Sequence, residues 1–174
     1  MGYAAPVEAN AGVSVSAASF VAAMARAATQ VSVVTTDGPA GRFGVTVSAF
    51  SSVSAEPPMV LVCINRRSPA VAAIEANGGF CVNLLGDDQA ALADCFAGRP
   101  GPLAPYDFAT ASWATAESGA PVLDHATANF DCLIDSAYDA GTHRIFVGRV
   151  LAALSSTRDP LAFSQRSYQA LRPL

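Results

Sequence analysis

Apolar residues fall first at helical spacing and then at strand spacing. Phe20, Met24, Ala27 and Val31 are separated by four, three and four positions, one face of an amphipathic helix that either Ser16 or Ser19 can cap. Residues 1–16 before it are small and aperiodic, and are expected to be a flexible arm, leaving residues 17–174 as one domain. Val31 to Thr36 is β-branched and ends in the turn cluster Asp37-Gly38-Pro39, and Arg42 to Ser48 reads as its hairpin partner. A serine-rich stretch, Ala49 to Glu56, leads to Pro57-Pro58. The unbroken apolar run Met59 to Ile64 then predicts a strand covered on both faces.

Ser68-Pro69 opens the clearest helix: a side chain suited to the N-cap, a proline suited to the first position, and Asn77-Gly78-Gly79 to end it. Phe80 to Leu85 predicts a strand, and Asp87 or Asp88 is expected to cap a short helix through Leu92 and Phe96 that stops at Gly98. Three prolines make residues 99–105 a loop. Strand-like runs follow at 111–115, 128–136 and 144–151, with a turn at Asp139-Ala140-Gly141. Strands outnumber helices without alternating with them, which predicts an antiparallel barrel with peripheral helices. No G-x-G-x-x-G follows a strand, which argues against a Rossmann nucleotide site.

Composition narrows the partners. Of the 174 residues 52% are hydrophobic and only 14% charged, more apolar surface than one small core hides, so a homodimer is expected. A net charge of −4 excludes a phosphate backbone as partner, and any anionic ligand must be held by a local feature. No apolar stretch is long enough to span a membrane, and the N-terminal residues do not read as a secretory signal. The four cysteines form no C-x-x-C pair, and Cys63, Cys81 and Cys132 lie in apolar runs as buried thiols do. With only two histidines, no metal site is expected, and the compartment is expected to be cytoplasmic.

Two segments have the chemistry to hold a phosphate-bearing ring. Asn65-Arg66-Arg67-Ser68-Pro69 brings two guanidinium groups to a helix start, although Ser-Pro also begins ordinary helices and arginines there are often merely solvated. Thr46 to Ser54 carries five hydroxyls in nine residues. These could meet a planar ligand's carbonyls and ring nitrogens, or equally satisfy their own backbone. His143 follows a turn at the mouth of a strand, where it can meet a ligand.

Together these segments resemble the short-chain flavin reductases that serve two-component flavin monooxygenases. The likeness runs from about Ser19 to Leu171 and is most specific in GRFGVTVSAFSSVSAEPPMVLVCINRRS at 41–68, supported by GGFCVNLL, Phe96-Ala97-Gly98, THRIFVGRV and FSQRSYQAL. It implies a mainly β fold: an antiparallel split β-barrel of Greek-key type with peripheral α-helices. It implies an NAD(P)H-dependent reductase that passes a hydride to FAD or FMN and releases the reduced flavin to a separate monooxygenase. The alternative is a non-catalytic flavin-binding or storage protein on the same barrel. By the same resemblance Thr46, Val47, Ser48 and Ala49 border the isoalloxazine and ribityl chain, with Ser51, Ser52 and Ser54 adding contacts. Asn65, Arg66 and Ser68 meet the flavin phosphate or, for FAD, its adenylate side, and Asn83 lies among the cofactor-binding residues. His143 faces the nicotinamide as the candidate catalytic residue, with Tyr168 nearby. Thr142 stands where the family has an aspartate.

Overall fold

The computed structural model describes residues 14–172, so most of the expected arm lies outside the described residues. Helix α1 spans Ala17–Met24, and the Ser16 hydroxyl caps it by accepting from the Ser19 amide at 3.1 Å. The helical face expected from Phe20 to Val31 is cut short. β1 (Thr29–Gln30) pairs with β11 (Leu161–Ser164), and Val31 is buried with its amide on Leu161 and its carbonyl on Leu85. Backbone pairing to distant segments overrides the helical period there, and Phe20 and Met24 are left exposed.

β2 (Ser32–Thr36) and β3 (Phe43–Val47) form the expected hairpin. The Asp37 carboxylate holds its turn, accepting from the Gly38 amide at 2.9 Å and from Arg42 Nε at 2.7 Å. The serine-rich stretch is itself a strand, β4 (Phe50–Ala55), paired with β5 (Pro58–Asn65). β5 is not covered on both faces as its unbroken apolar run suggested. Val60, Val62 and Ile64 are buried while Met59, Leu61 and Cys63 are half-buried, so only one side meets the core. Helix α2 (Pro69–Asn77) matches its sequence signals, with Ser68 accepting from the Ala70 amide and Gly78 closing it at φ 78°.

β6 (Gly79–Leu84) precedes α3 (Ala90–Phe96). Neither aspartate caps α3: Gln89 occupies the cap position, and the Asp88 carboxylate is taken by Arg158. A single 3-10 turn, Phe108–Thr110, leads into the short hairpin β7 (Trp113–Thr115) and β8 (Pro121–Leu123). Two long strands follow, β9 (Ala128–Ala140) and β10 (His143–Ser155), and then β11 and β12 (Ser167–Ala170) close a final hairpin.

Every pairing between strands is antiparallel. The main sheet runs β3-β2-β6-β9-β10-β5-β4, beside a three-stranded β1-β11-β12 sheet and the β7-β8 pair. One face of the main sheet packs Val34, Val62, Ile64, Ile74, Phe80 and Phe146 together, and the other packs Val33, Leu85, Leu92, Phe96, Leu123 and Leu161 under α3 and β11. Gly44 makes the second cluster possible, since a Cβ there would stand 2.6 Å from the Phe96 ring. β3 and β4 are the two free edges of the sheet. The link between them crosses the end of β5, where the Ala49 carbonyl accepts from the Cys63 amide at 3.0 Å. An unpaired strand edge therefore runs alongside the segment richest in hydroxyls.

Candidate functional site

Where β3 ends, Val31, Thr46, Val47 and Ser48 form one side of a cavity of about 140 Å³. Ala97, Arg99, Phe163 and Tyr168 form the other. Each wall is anchored. Thr46 donates its hydroxyl to the Ala93 carbonyl at 2.7 Å, tying β3 to α3. Tyr168 donates to Asp94 Oδ1 at 2.8 Å, and Arg99 reaches the same oxygen at 3.2 Å. Phe163 stands edge-on to Tyr168 with centroids 5.5 Å apart, and the Arg99 guanidinium lies 5.9 Å above the Phe163 ring. Burial, and then the Asp94 carboxylate, push the Tyr168 phenol up to about 12, so it stays protonated at neutral pH. The result is an apolar slot with a backbone edge, a hydroxyl and a fixed cation around it.

Two of the other hydroxyls are engaged on neighbouring backbone. Ser51 donates to the Ser52 carbonyl at 3.1 Å, and Ser54 accepts from the Glu56 amide at 3.1 Å. On β4 these serines satisfy nearby backbone, one of the two outcomes the sequence left open. Ala49 joins β4 to β5 through its carbonyl.

A second group gathers at the adjoining end of the sheet, where Asn65 of β5 pairs with His143 of β10. Asn65, Arg66, Arg67, Gly141 and Thr142 line an open depression there. The Asn65 side-chain Oδ1 accepts from the Arg67 amide at 3.0 Å, and Arg66 lies 3.4 Å from Asp139. A hydrogen bond from Arg144, and then the charges of Arg66 and Arg144, hold the Asp139 carboxyl below the usual range. The Thr142 hydroxyl lies 3.0 Å from His143 Nδ1, so the residue in the aspartate's place touches the imidazole and orients it. Ser68 lines neither space; it opens on a separate cavity beside Phe43 and Phe108.

Asn83 is a correction. It is fully buried, its amide nitrogen donates to the Val33 carbonyl and Thr35 hydroxyl, and its oxygen accepts from the Leu123 amide and Asn129. With its amide groups spent on binding strands together, it has no route to a ligand.

The sequence reading missed Asp94, Ala97, Arg99 and Phe163. Phe163 and Tyr168 belong to a hairpin whose turn residues Gln165 and Arg166 both have positive φ, and Gln-Arg carries no turn signal. Asp94 lies in the predicted short helix and Arg99 in the loop after it, and a single charge in either place carries no signal of a site. Among the described residues no group of three or more His, Cys, Asp or Glu side chains is placed to hold a metal ion.

Comparison with known proteins agrees with the geometry. Residues 24–172 match the model of the flavin reductase like domain. The chain is 46% identical over 167 residues to FMN reductase (NADH) RutF 1 of Methylorubrum extorquens, covering 94% of this chain and 81% of that one. It superposes with a TM-score of 0.80 on BorF, the flavin reductase component of a bacterial two-component tryptophan halogenase, at 33% identity, covering 91% of this chain and all of the other. The Streptomyces globisporus NADH:FAD oxidoreductase SgcE6, solved in complex with NAD and FAD fragments, also gives 0.80 at 30% identity, covering 90% and 93%.

Proposed function

Since the chain belongs to the flavin reductase-like family, and is an oxidoreductase that uses NADH and a flavin, we propose that it reduces FMN or FAD in the cleft along the free edge of β3. The observation that carries this is the anchored slot between Thr46–Ser48 and the Phe163–Tyr168 hairpin. A flavin ring is flat, apolar across its faces and polar along its edges. The donor set fits it: Val31, Val47 and Ala97 would offer apolar surface to the ring, while the Ser48 hydroxyl, the Arg99 guanidinium and an unpaired strand edge would be available to its carbonyls and ring nitrogens.

Hydride transfer from nicotinamide C4 to flavin N5 is supplied by the two cofactors themselves. The protein's part is alignment and exclusion of water. Tyr168, held by Asp94, fixes the cavity wall and keeps its proton on Oη. His143, whose ring the Thr142 hydroxyl touches, is assigned to the nicotinamide in this reading. Asn65 and Arg66 offer an amide and a cation to a phosphate at the neighbouring rim, with Asp139 lending Arg66 a partner to exchange.

The approach of β3 to β5 across the open sheet supports a split barrel of Greek-key type for residues 17–174. Val21, Leu151 and Leu154 remain exposed, as do Phe20 and Met24, which supports a homodimer. The cytoplasm, with its reduced pools, suits four free thiols. BorF serves a separate halogenase, and by analogy this reductase releases reduced flavin to a partner oxygenase. Initial rates with each pairing of NADH or NADPH with FMN or FAD test the proposal. Oxidation of NADH only when flavin is added is the expected result; none with either flavin overturns it and leaves the storage protein.

A further inference from the structure

We infer that Arg144 is a positioning residue for the ligand's phosphate, an inference that rests on reading Asn65 and Arg66 as the phosphate rim. By neutralising Asp139, it frees Arg66 to leave that carboxylate for the phosphate. Four side chains of alternating charge form a chain across this end of the sheet. Glu75, near the end of α2, accepts from Arg144 Nη2 at 2.5 Å. Arg144 Nη1 donates to Asp139 Oδ1 at 2.8 Å, and the other oxygen of Asp139 lies 3.4 Å from Arg66 Nη2.

The two contacts of Asp139 are unequal. Arg144 makes the shorter one and is the less exposed cation, its side chain 27% accessible against 53% for Arg66. It is also fixed from two sides, by α2 through Glu75 and by the ladder that sets it opposite Asp139 across β10 and β9. A planar guanidinium fork can serve two carboxylates at once, as this one does. Arg66 is the looser end of the chain. Its amide is held by the Thr142 carbonyl at 3.0 Å, so the backbone stays in place while the guanidinium turns.

Arg66 stands between two spaces. It lines the open depression with Asn65, Arg67 and Thr142, and the groove on its other side with Glu75, Asp139 and Arg144. In the groove it meets a carboxylate; in the depression it would meet a phosphate. An unneutralised carboxylate there would repel the phosphate and keep hold of the cation the phosphate needs. Arg144 removes both obstacles, because Asp139 keeps a close counter-charge after Arg66 departs. An exposed pair such as Arg66 with Asp139 contributes little, so its exchange for a phosphate costs little. Without Arg144, two carboxylates face one guanidinium beside the rim.

Titrations of FMN and of riboflavin, which has the ring and ribityl chain but no phosphate, isolate the effect as the ratio of the two dissociation constants. Arg144→Gln is expected to weaken FMN about fivefold and leave riboflavin unchanged, while Asp139→Asn tightens FMN by a similar factor. Joining the two substitutions should return FMN affinity to the wild-type value or better, since the unneutralised carboxylate is then gone. Asp139→Asn alters a well-exposed side chain, so it stays informative even if Arg144→Gln folds poorly. Weaker FMN binding in Asp139→Asn, equal losses of FMN and riboflavin in Arg144→Gln, or a double variant as weak as Arg144→Gln overturns the inference. If Arg66→Gln binds FMN as tightly as the wild type, the phosphate lies elsewhere, and the reading beneath the inference fails instead.

Discussion

Replacing Asp94 with asparagine removes a negative charge while leaving an acceptor for Tyr168. Two things depend on that charge: the 2.8 Å hydrogen bond from Tyr168 Oη and the 3.2 Å contact with Arg99. A hydrogen bond to a buried ionised group contributes about 1.5–3 kcal/mol, and an exposed ion pair about 0–1 kcal/mol. The Tyr168 hydroxyl is only partly buried and Arg99 is half exposed, so the combined loss is expected near the low end, about 1 kcal/mol. The phenol gives a sharper readout. Burial, and then the hydrogen bond to Asp94 and its charge, raise it against the lowering by Arg99; the substitution removes the charge and leaves burial and a neutral acceptor, so the phenol falls from about 12 toward its ordinary value of 10.0. A raised phenol favours the protonated folded state. Its contribution to stability is full below pH 10 and is lost as pH rises from about 10 through 12. Spectrophotometric tyrosinate titration, with Tyr168→Phe subtracted to isolate the signal, reads the shift, and urea unfolding across the same range reads the linkage. A Tyr168 that ionises with the other tyrosines in the wild type, or that does not move in Asp94→Asn, refutes the reasoning.

Other substitutions separate structure from function. Gly44→Ala drives a methyl group to 2.6 Å from Phe96, and thermal or urea unfolding should report a loss of about 1–3 kcal/mol. Asn83→Ala orphans buried groups on three strands and should cost about 3 kcal/mol, while the folded protein keeps its FMN dissociation constant; a selective loss of FMN affinity would restore Asn83 to the site. His143→Ala should raise the KM for NADH about fivefold, the worth of about 1 kcal/mol, without weakening FMN. Normal NADH kinetics would remove it from the site.

The parts of the fold most legible in the sequence are those fixed by local chemistry. Ser68, Pro69 and Gly78 bracket α2 because cap, ring and left-handed glycine act within one turn of chain. The β2–β3 hairpin was legible for a similar reason, through Asp37-Gly38. Elements formed by distant partners were not. Val31 leaves the helical pattern because Leu161 and Leu85 take its backbone, and β4 becomes a strand because β5 pairs with it, whatever its serines prefer locally. The candidate site divides the same way. Thr46, Val47 and Ser48 could be chosen by type and spacing, whereas Asp94 matters only because Tyr168, 74 residues later, folds back onto it. Asn83 shows the reverse: the resemblance set it among the cofactor-binding residues, and three other strands use its amide.

The most direct measurement is a crystal of the protein soaked in FMN. Difference density for the ring between Thr46–Ser48 and Phe163–Tyr168, with the phosphate toward Asn65 and Arg66, is the predicted result. Flavin bound on another surface, or a slot that stays closed by its own side chains at saturating FMN, would contradict it.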